Sequence, residues 1–229
     1  LDYADAIFCY DTDSAFFLEL GDKNFIPLIS IDGLMPTPLQ IFFQICTDYA
    51  RLKKADAILV THPHSDHFDA VAVDELSTRT TEMLCDRTSA EAFEMNCHTM
   101  RPGSVANPIE GLKVEAVAAY NTSEGHTKFH PKEREDCGYI LTIGGTRIYI
   151  AGDTEPTKEM KALKNIDVAF LPVNQPYTMT VEQAVEAVKA IQPPLFSPYH
   201  YGQVEEKTDL EALKAALDGV TEVRIFPME

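Results

Sequence analysis

The sequence is poor in positive charge: 19 Lys and Arg stand against 36 Asp and Glu, a formal net charge of −17. A nucleic-acid surface needs a basic stripe, so DNA or RNA binding is excluded as a first reading. An anionic membrane surface is disfavoured on the same ground. Long apolar runs are also missing, and no stretch approaches the roughly eighteen uninterrupted apolar residues of a membrane span. Cysteine is sparse and unpatterned. The five residues (Cys9, Cys46, Cys85, Cys97 and Cys137) are odd in number and form no Cys-x-x-Cys. That excludes a disulfide frame and predicts reduced thiols in a cytoplasmic protein. Leu1 to Tyr10 is acidic and lacks a signal-peptide pattern. No linker, repeat or low-complexity segment interrupts the chain. What remains, 229 residues of which 45% are hydrophobic, suffices for a substantial core and predicts one domain over residues 1–229.

Against this background one stretch concentrates chemistry: Thr61-His62-Pro63-His64-Ser65-Asp66-His67-Phe68-Asp69. Three imidazoles and a carboxylate fall within six positions of a chain that has seven His in all. The run Ala57-Ile58-Leu59-Val60 just before it reads as a buried strand. Ligands at the end of a strand are held by a rigid element, which suits metal and catalytic groups. Neutral imidazole is the commonest metal-binding side chain, and mixed His/Asp sets belong to catalytic zinc-type sites.

Element signals flank the motif. Asp13 to Leu20 has strand-like apolar content, with a turn over Gly21 to Asn24. Ile41, Phe42, Ile45, Tyr49 and Leu52 form a helical stripe over residues 39–52. A helix is predicted from Asp69 to Leu76. Thr88-Ser89-Ala90-Glu91 has the capping-box form and predicts a helix ending near Asn96. Leu112 to Tyr120 alternates as a strand. Gly144-Gly145 makes a tight hairpin turn between Gly138–Ile143 and Thr146–Ala151. A helix over Glu155–Leu163 and a buried strand over Ile166–Leu171 follow. Val173 to Met179 is a Pro-bracketed loop in which Tyr177 and Met179 are candidate pocket residues. Thr180-Val181-Glu182-Gln183 is a second capping box, opening a helix with Val181, Ala184, Val185, Val188 and Ile191 on one face. A last helix over Thr208–Leu217 precedes a closing strand, Val223–Phe226. Periodicity alone gives layered α plus β.

The motif at residues 61–69 resembles the signature of the metallo-β-lactamase superfamily. Ile148-Tyr149-Ile150-Ala151-Gly152-Asp153-Thr154 looks like that family's strand carrying a metal-bridging aspartate, and Ser197-Pro198-Tyr199-His200-Tyr201-Gly202 like its final strand-end histidine. The resemblance covers roughly residues 55 to 205 and is nearest the small single-domain hydrolases related to ascorbate-phosphate lactonases. It implies an α+β, four-layer αββα sandwich. Two positions depart from the family pattern: Ile31-Asp32-Gly33 replaces an Asp-Pro, and Tyr120-Asn121 stands where a ligand histidine is usual. His130, in Phe129-His130-Pro131-Lys132, is the favoured substitute, as a ligand or as a substrate-contacting acid, with His126 behind it.

Carried over, the resemblance implies two divalent metal ions, with Zn²⁺ first and Mn²⁺ or Fe²⁺ compatible. His62 and His64 would hold one, with Asn121, His126 or His130 near its third position. Asp66, His67 and His200 would hold the other, with Asp153 bridging. The implied reaction is hydrolysis of an ester, lactone or phosphodiester in a small-molecule substrate by a metal-bound hydroxide. Asp66 would orient the nucleophile or take its proton, and Tyr120, Lys132 and Tyr201 are candidate oxyanion donors. A mononuclear hydrolase and a non-catalytic, metal-stabilised binding protein stay open as alternatives, and the sequence leaves room for a homo-oligomer.

Overall fold

In the computed structural model, the residues described are 11–12, 15–16, 18–20 and 23–28 as strand backbone, together with 54–92, 97–201 and 207–225. The predicted helix over 39–52 and the Ile31-Asp32-Gly33 departure lie outside them. The chain divides into two compact units, residues 1–99 with 227–229 and residues 100–226.

The first unit is built on a five-stranded sheet. Its strands lie in chain order: β3 (Leu18–Leu20), β4 (Lys23–Leu28), β5 (Ala57–Val60), β6 (Glu82–Asp86) and β7 (His98–Met100). Two short strands, β1 (Asp11–Thr12) and β2 (Ala15–Phe16), pair separately. β3 and β4 form the antiparallel hairpin expected around Gly21–Asn24, and β5 runs parallel to both β4 and β6. The uninterrupted apolar text of β5 has its physical reason here, because all four of its residues are buried. Helix α1 (Ala70–Leu76) follows the histidine-rich loop. Asp69 caps it, its Oδ1 accepting from Val71 N at 2.8 Å and Ala72 N at 3.3 Å. The last carboxylate of the motif is therefore a helix cap. Helix α2 (Arg87–Ala92) starts before the predicted capping box. Asp86 accepts from Thr88 N at 2.8 Å and Ser89 N at 3.2 Å, so an acid upstream of Thr88 does the capping.

The second unit carries a seven-stranded sheet in the order β14-β13-β12-β11-β10-β9-β8. Here β8 is Val105–Ile109, β9 Leu112–Ala118, β10 Cys137–Ile143, β11 Thr146–Ile150, β12 Val168–Pro172, β13 Leu195–Tyr199 and β14 Glu222–Val223. Strands β8 to β11 are antiparallel and β11 to β14 parallel. The β10–β11 turn is the Gly144-Gly145 pair, at φ +58° and +92° as a primed turn requires. Helix α3 (Lys158–Lys161) begins at the Thr157 cap, shorter than the predicted Glu155–Leu163 helix. Helix α4 (Val181–Ile191) opens with the predicted reciprocal box between Thr180 and Gln183. Its inward face is Ala184, Ala187, Val188 and Ile191, with Val181 and Val185 only half-buried. Helix α5 (Leu210–Ala216) is capped by Asp209 and turns Leu213 inward. No helix among the described residues is long and apolar enough to cross a membrane.

The edge formed by the C-terminal ends of β11, β12 and β13 collects Asp153, Asn174 and His200. Gly138, on the neighbouring β10, keeps that edge tight. A Cβ at Gly138 would stand 2.5 Å from Ala151 O and 2.9 Å from Ile150 O. Backbone cannot yield as a flexible side chain can, so Gly138→Ala is expected to cost about 1–3 kcal/mol in urea unfolding. By contrast, the fully buried Tyr149 hydroxyl has no hydrogen-bond partner among the described residues, and burial pushes its pKa up. An unsatisfied buried hydroxyl is a cost, so Tyr149→Phe is expected to gain about 1 kcal/mol in the same assay.

Candidate metal centre

The first unit supplies one ligand set from a single loop. Beyond Val60 the chain turns back on itself, with His64 O accepting from both His67 N and Phe68 N at 2.9 Å. The turn gathers the imidazoles: the His62 ring centre lies 4.7 Å from that of His64 and 4.1 Å from that of His67. Asp66 Oδ2 stands 3.5 Å from His67 Nε2. His62 and His67 are fully buried, while His64 and Asp66 are half-exposed. Thr61 Oγ1, 2.9 Å from His62 Nδ1, can accept its proton and leave Nε2 as the lone-pair nitrogen.

The second unit supplies another set from strand ends. Asp153 follows β11 through Gly152, whose φ of +66° is left-handed. His200 follows β13 and is itself held at φ +56°, a conformation a non-glycine residue adopts only where its surroundings impose it. His130 arrives on the loop after β9. Asp153 Oδ2 lies 3.3 Å from His130 Nε2 and 3.3 Å from His200 Nε2, and the three residues are 1–3% exposed. Neighbouring ligands of a tetrahedral ion with bonds of 2.0–2.1 Å stand about 3.3–3.4 Å apart. The donor set is imidazole and carboxylate without thiolate, which suits Zn²⁺, Mn²⁺ or Fe²⁺. The set around Asp153 therefore fits a divalent ion, and the loop of the first unit offers donors of the same chemistry.

Around His130 the partners define its two available roles. Arg134 grips Asp136 with Nε and Nη2, each at 2.7 Å. Its Nη2 also lies 3.2 Å from His130 Nδ1, and Asp136 Oδ2 lies 3.7 Å from the same nitrogen. Donation from Arg134 makes Nε2 the protonated nitrogen facing Asp153. Acceptance by Asp136 leaves Nε2 free for a metal.

Asn121, at the family's histidine position, is buried and works as a tie. Its Nδ2 donates to Tyr177 O at 2.7 Å and to His126 O at 3.3 Å. His126 lies instead against Glu155, Nδ1 to Oε1 at 3.2 Å. Tyr120 and Lys132 come together with Glu159: the Tyr120 hydroxyl donates to Glu159 Oε2 at 2.8 Å, and Lys132 Nζ sits 4.6 Å from the Tyr120 ring centre. Tyr201 is buried. His98 is a surface residue paired with Glu82 at 2.9 Å. Met179 lines a cavity of about 250 Å³ with Gln175, Thr180 and Lys207, and Tyr177 lies edge-on to Phe129 at 4.9 Å.

Sequence reasoning missed Glu155, Asp136 and Asn174. Glu155 Oε2 accepts from Thr122 N at 2.7 Å, Thr122 Oγ1 at 2.9 Å and Ser123 N at 2.6 Å. Burial alone would push its carboxyl up, but those donors hold it below the usual carboxylate range. The signal for it was its place two residues after Asp153. For Asp136 and Asn174 the signal was position at a strand end.

Residues 33–201 match the beta-lactamase superfamily domain. A metal-dependent hydrolase of Thermoplasma acidophilum is 33% identical over 180 residues, 76% of this chain and 78% of that one. A crystal structure of an inferred metal-dependent hydrolase from Parabacteroides distasonis superposes with a TM-score of 0.79 at 39% identity, covering 94% of this chain and 90% of the other. A metallo hydrolase from Ignicoccus hospitalis matches in fold, with a TM-score of 0.72 at 22% identity over 95% and 93% of the two chains.

Proposed function

Because the chain belongs to the beta-lactamase superfamily, with the α+β fold of that family and the standing of a metal-dependent hydrolase, we propose that its two ligand sets serve one dinuclear centre. In this reading His62, His64 and His130 hold one ion. Asp66, His67 and His200 hold the other, with Asp153 the carboxylate shared between the two. Zn²⁺ is the first choice, with Mn²⁺ and Fe²⁺ compatible. The observation that carries the proposal is Asp153 Oδ2 at 3.3 Å from both His130 Nε2 and His200 Nε2 in a buried setting. A buried carboxylate stays charged only where hydrogen-bond donors or a cation compensate it, and a divalent ion would supply such a cation.

When bound, the ions would lower the pKa of a water from 15.7 toward about 7 and so provide hydroxide at neutral pH. Asp66, partly exposed beside His67, would orient that water or accept its proton as hydroxide forms. His130 either completes the ligand set or, in its Nε2–H form, acts as the acid facing substrate. Tyr120 and Lys132 remain the proposed oxyanion donors, once substrate displaces them from Glu159. The bond attacked is an ester, lactone or phosphodiester of a small molecule, and one catalytic domain acting in the cytoplasm suits the thiols of Cys85 and Cys97.

Elemental analysis of protein purified without added metal or chelator tests this reading. About two transition-metal ions per chain are expected, with hydrolysis of generic ester and phosphodiester substrates that a chelator abolishes. One ion per chain would replace it with a mononuclear hydrolase. None after reconstitution with Zn²⁺ and Mn²⁺ would overturn it.

A further inference from the structure

β12 and β13 run parallel, with Pro172 level with Tyr199, and Val173 N donates to Tyr199 O at 3.0 Å. This register brings together two side chains just past the strand ends, the second residue after β12 and the first after β13: Asn174 Nδ2 lies 3.0 Å from His200 Nδ1. The Asn174 backbone is fixed, because its N–H donates to Thr178 Oγ1 at 2.7 Å and its carbonyl accepts from Thr178 N at 2.7 Å and Tyr177 N at 3.0 Å. Its side-chain oxygen is not. Asn174 is 3% exposed, yet its Oδ1 has no hydrogen-bond partner among the described residues.

Resting on the metal-centre reading above, we infer that Asn174 is a positioning residue that selects the tautomer of His200. The amide nitrogen facing Nδ1 makes Nδ1 an acceptor, so Nε2 carries the proton toward Asp153. For Nε2 to bind a metal, the proton must sit on Nδ1 and find an acceptor. Turning the amide over brings Oδ1 to that nitrogen, and no bond to Oδ1 opposes the turn. Among side chains of this size, Asn alone serves both states, since Asp offers only acceptors and Leu neither.

Competition with a fluorescent zinc chelator, on full-length protein, tests the inference. Asn174→Leu, close to isosteric, is expected to weaken one of the bound Zn²⁺ ions by about 10- to 100-fold, and Asn174→Asp to restore wild-type affinity or better. A space-filling role predicts the reverse order, with Leu tolerated and the buried Asp harmful. That order, equal affinities for all three proteins, or equal losses in both variants would overturn the inference. If circular dichroism shows Asn174→Leu unfolded, Asn174→Asp decides alone: affinity kept supports the role and affinity lost overturns it. Absence of zinc from the wild type would instead remove the metal reading itself.

Discussion

Asp153→Ala should bring hydrolysis below about one-thousandth of the wild-type rate and remove at least one bound metal ion per chain. Loss of a single donor group in a preorganised site typically costs about 100- to 1,000-fold. Asp153 is more than one donor, because its Oδ2 faces His130 and His200 at 3.3 Å each. Removing it takes away the carboxylate between His130 and His200, leaving neutral imidazoles without a negative charge to offset a bound cation. The same change separates metal binding from folding. In metal-free protein the variant loses a costly buried charge, so its unfolding midpoint should hold or rise. Addition of Zn²⁺ should then fail to raise that midpoint, whereas wild type at a hundredfold excess over Kd gains about 2.7 kcal/mol. Asp153→Asn, which keeps the shape and loses the charge, should fall between the two in metal affinity. Wild-type turnover in Asp153→Ala would sink the assignment of this residue to the centre.

What was legible in the sequence was whatever local spacing encodes. The loop after β5 could be read directly because four donor residues sit within one turn, and the strand before it is apolar throughout. The Thr180–Gln183 box and the Gly144-Gly145 turn were legible for the same reason: each is complete within four residues. The partners of the site were not. Asp136 lies three residues before Tyr139, which pairs with Ile150, and Asp153 lies three residues after Ile150. The two carboxylates are therefore brought level by an antiparallel register that only the sheet fixes. Asn174 meets His200 through the β12–β13 register in the same way. Glu155 opens the helix expected over Glu155–Leu163, and Glu is a good helix former. The donors on Thr122 and Ser123, more than thirty residues away in sequence, hold it outside the helix, and α3 begins only at the Thr157 cap. Tertiary hydrogen bonds outweighed a local propensity worth a few tenths of a kcal/mol.

Glu155→Ala is expected to cost about 3 kcal/mol of unfolding free energy and to loosen the loop that carries Asn121 and His126. The Glu155 side chain is fully buried and receives two backbone N–H groups and a hydroxyl on one oxygen, with His126 on the other. Deleting it leaves those donors without an acceptor in a partly buried place, where each orphaned group costs about 1–3 kcal/mol before water enters. The damage should be local first. Asn121, which ties this loop to Tyr177 O, and the Tyr120 carbonyl, which accepts from Glu155 N at 3.2 Å, sit beside the affected turn. Limited proteolysis should therefore cut within residues 121–129 well below the global unfolding midpoint. Glu155→Gln separates hydrogen bonding from charge. The Gln carbonyl can keep the Thr122 and Ser123 donors, and its amide can donate to His126 Nδ1, so a loss of about 1 kcal/mol or less is expected. If Ala and Gln are equally destabilised, charge rather than hydrogen bonding holds the loop. If Glu155→Ala unfolds within about 0.5 kcal/mol of wild type, with no new cleavage, the carboxylate does not fasten this loop.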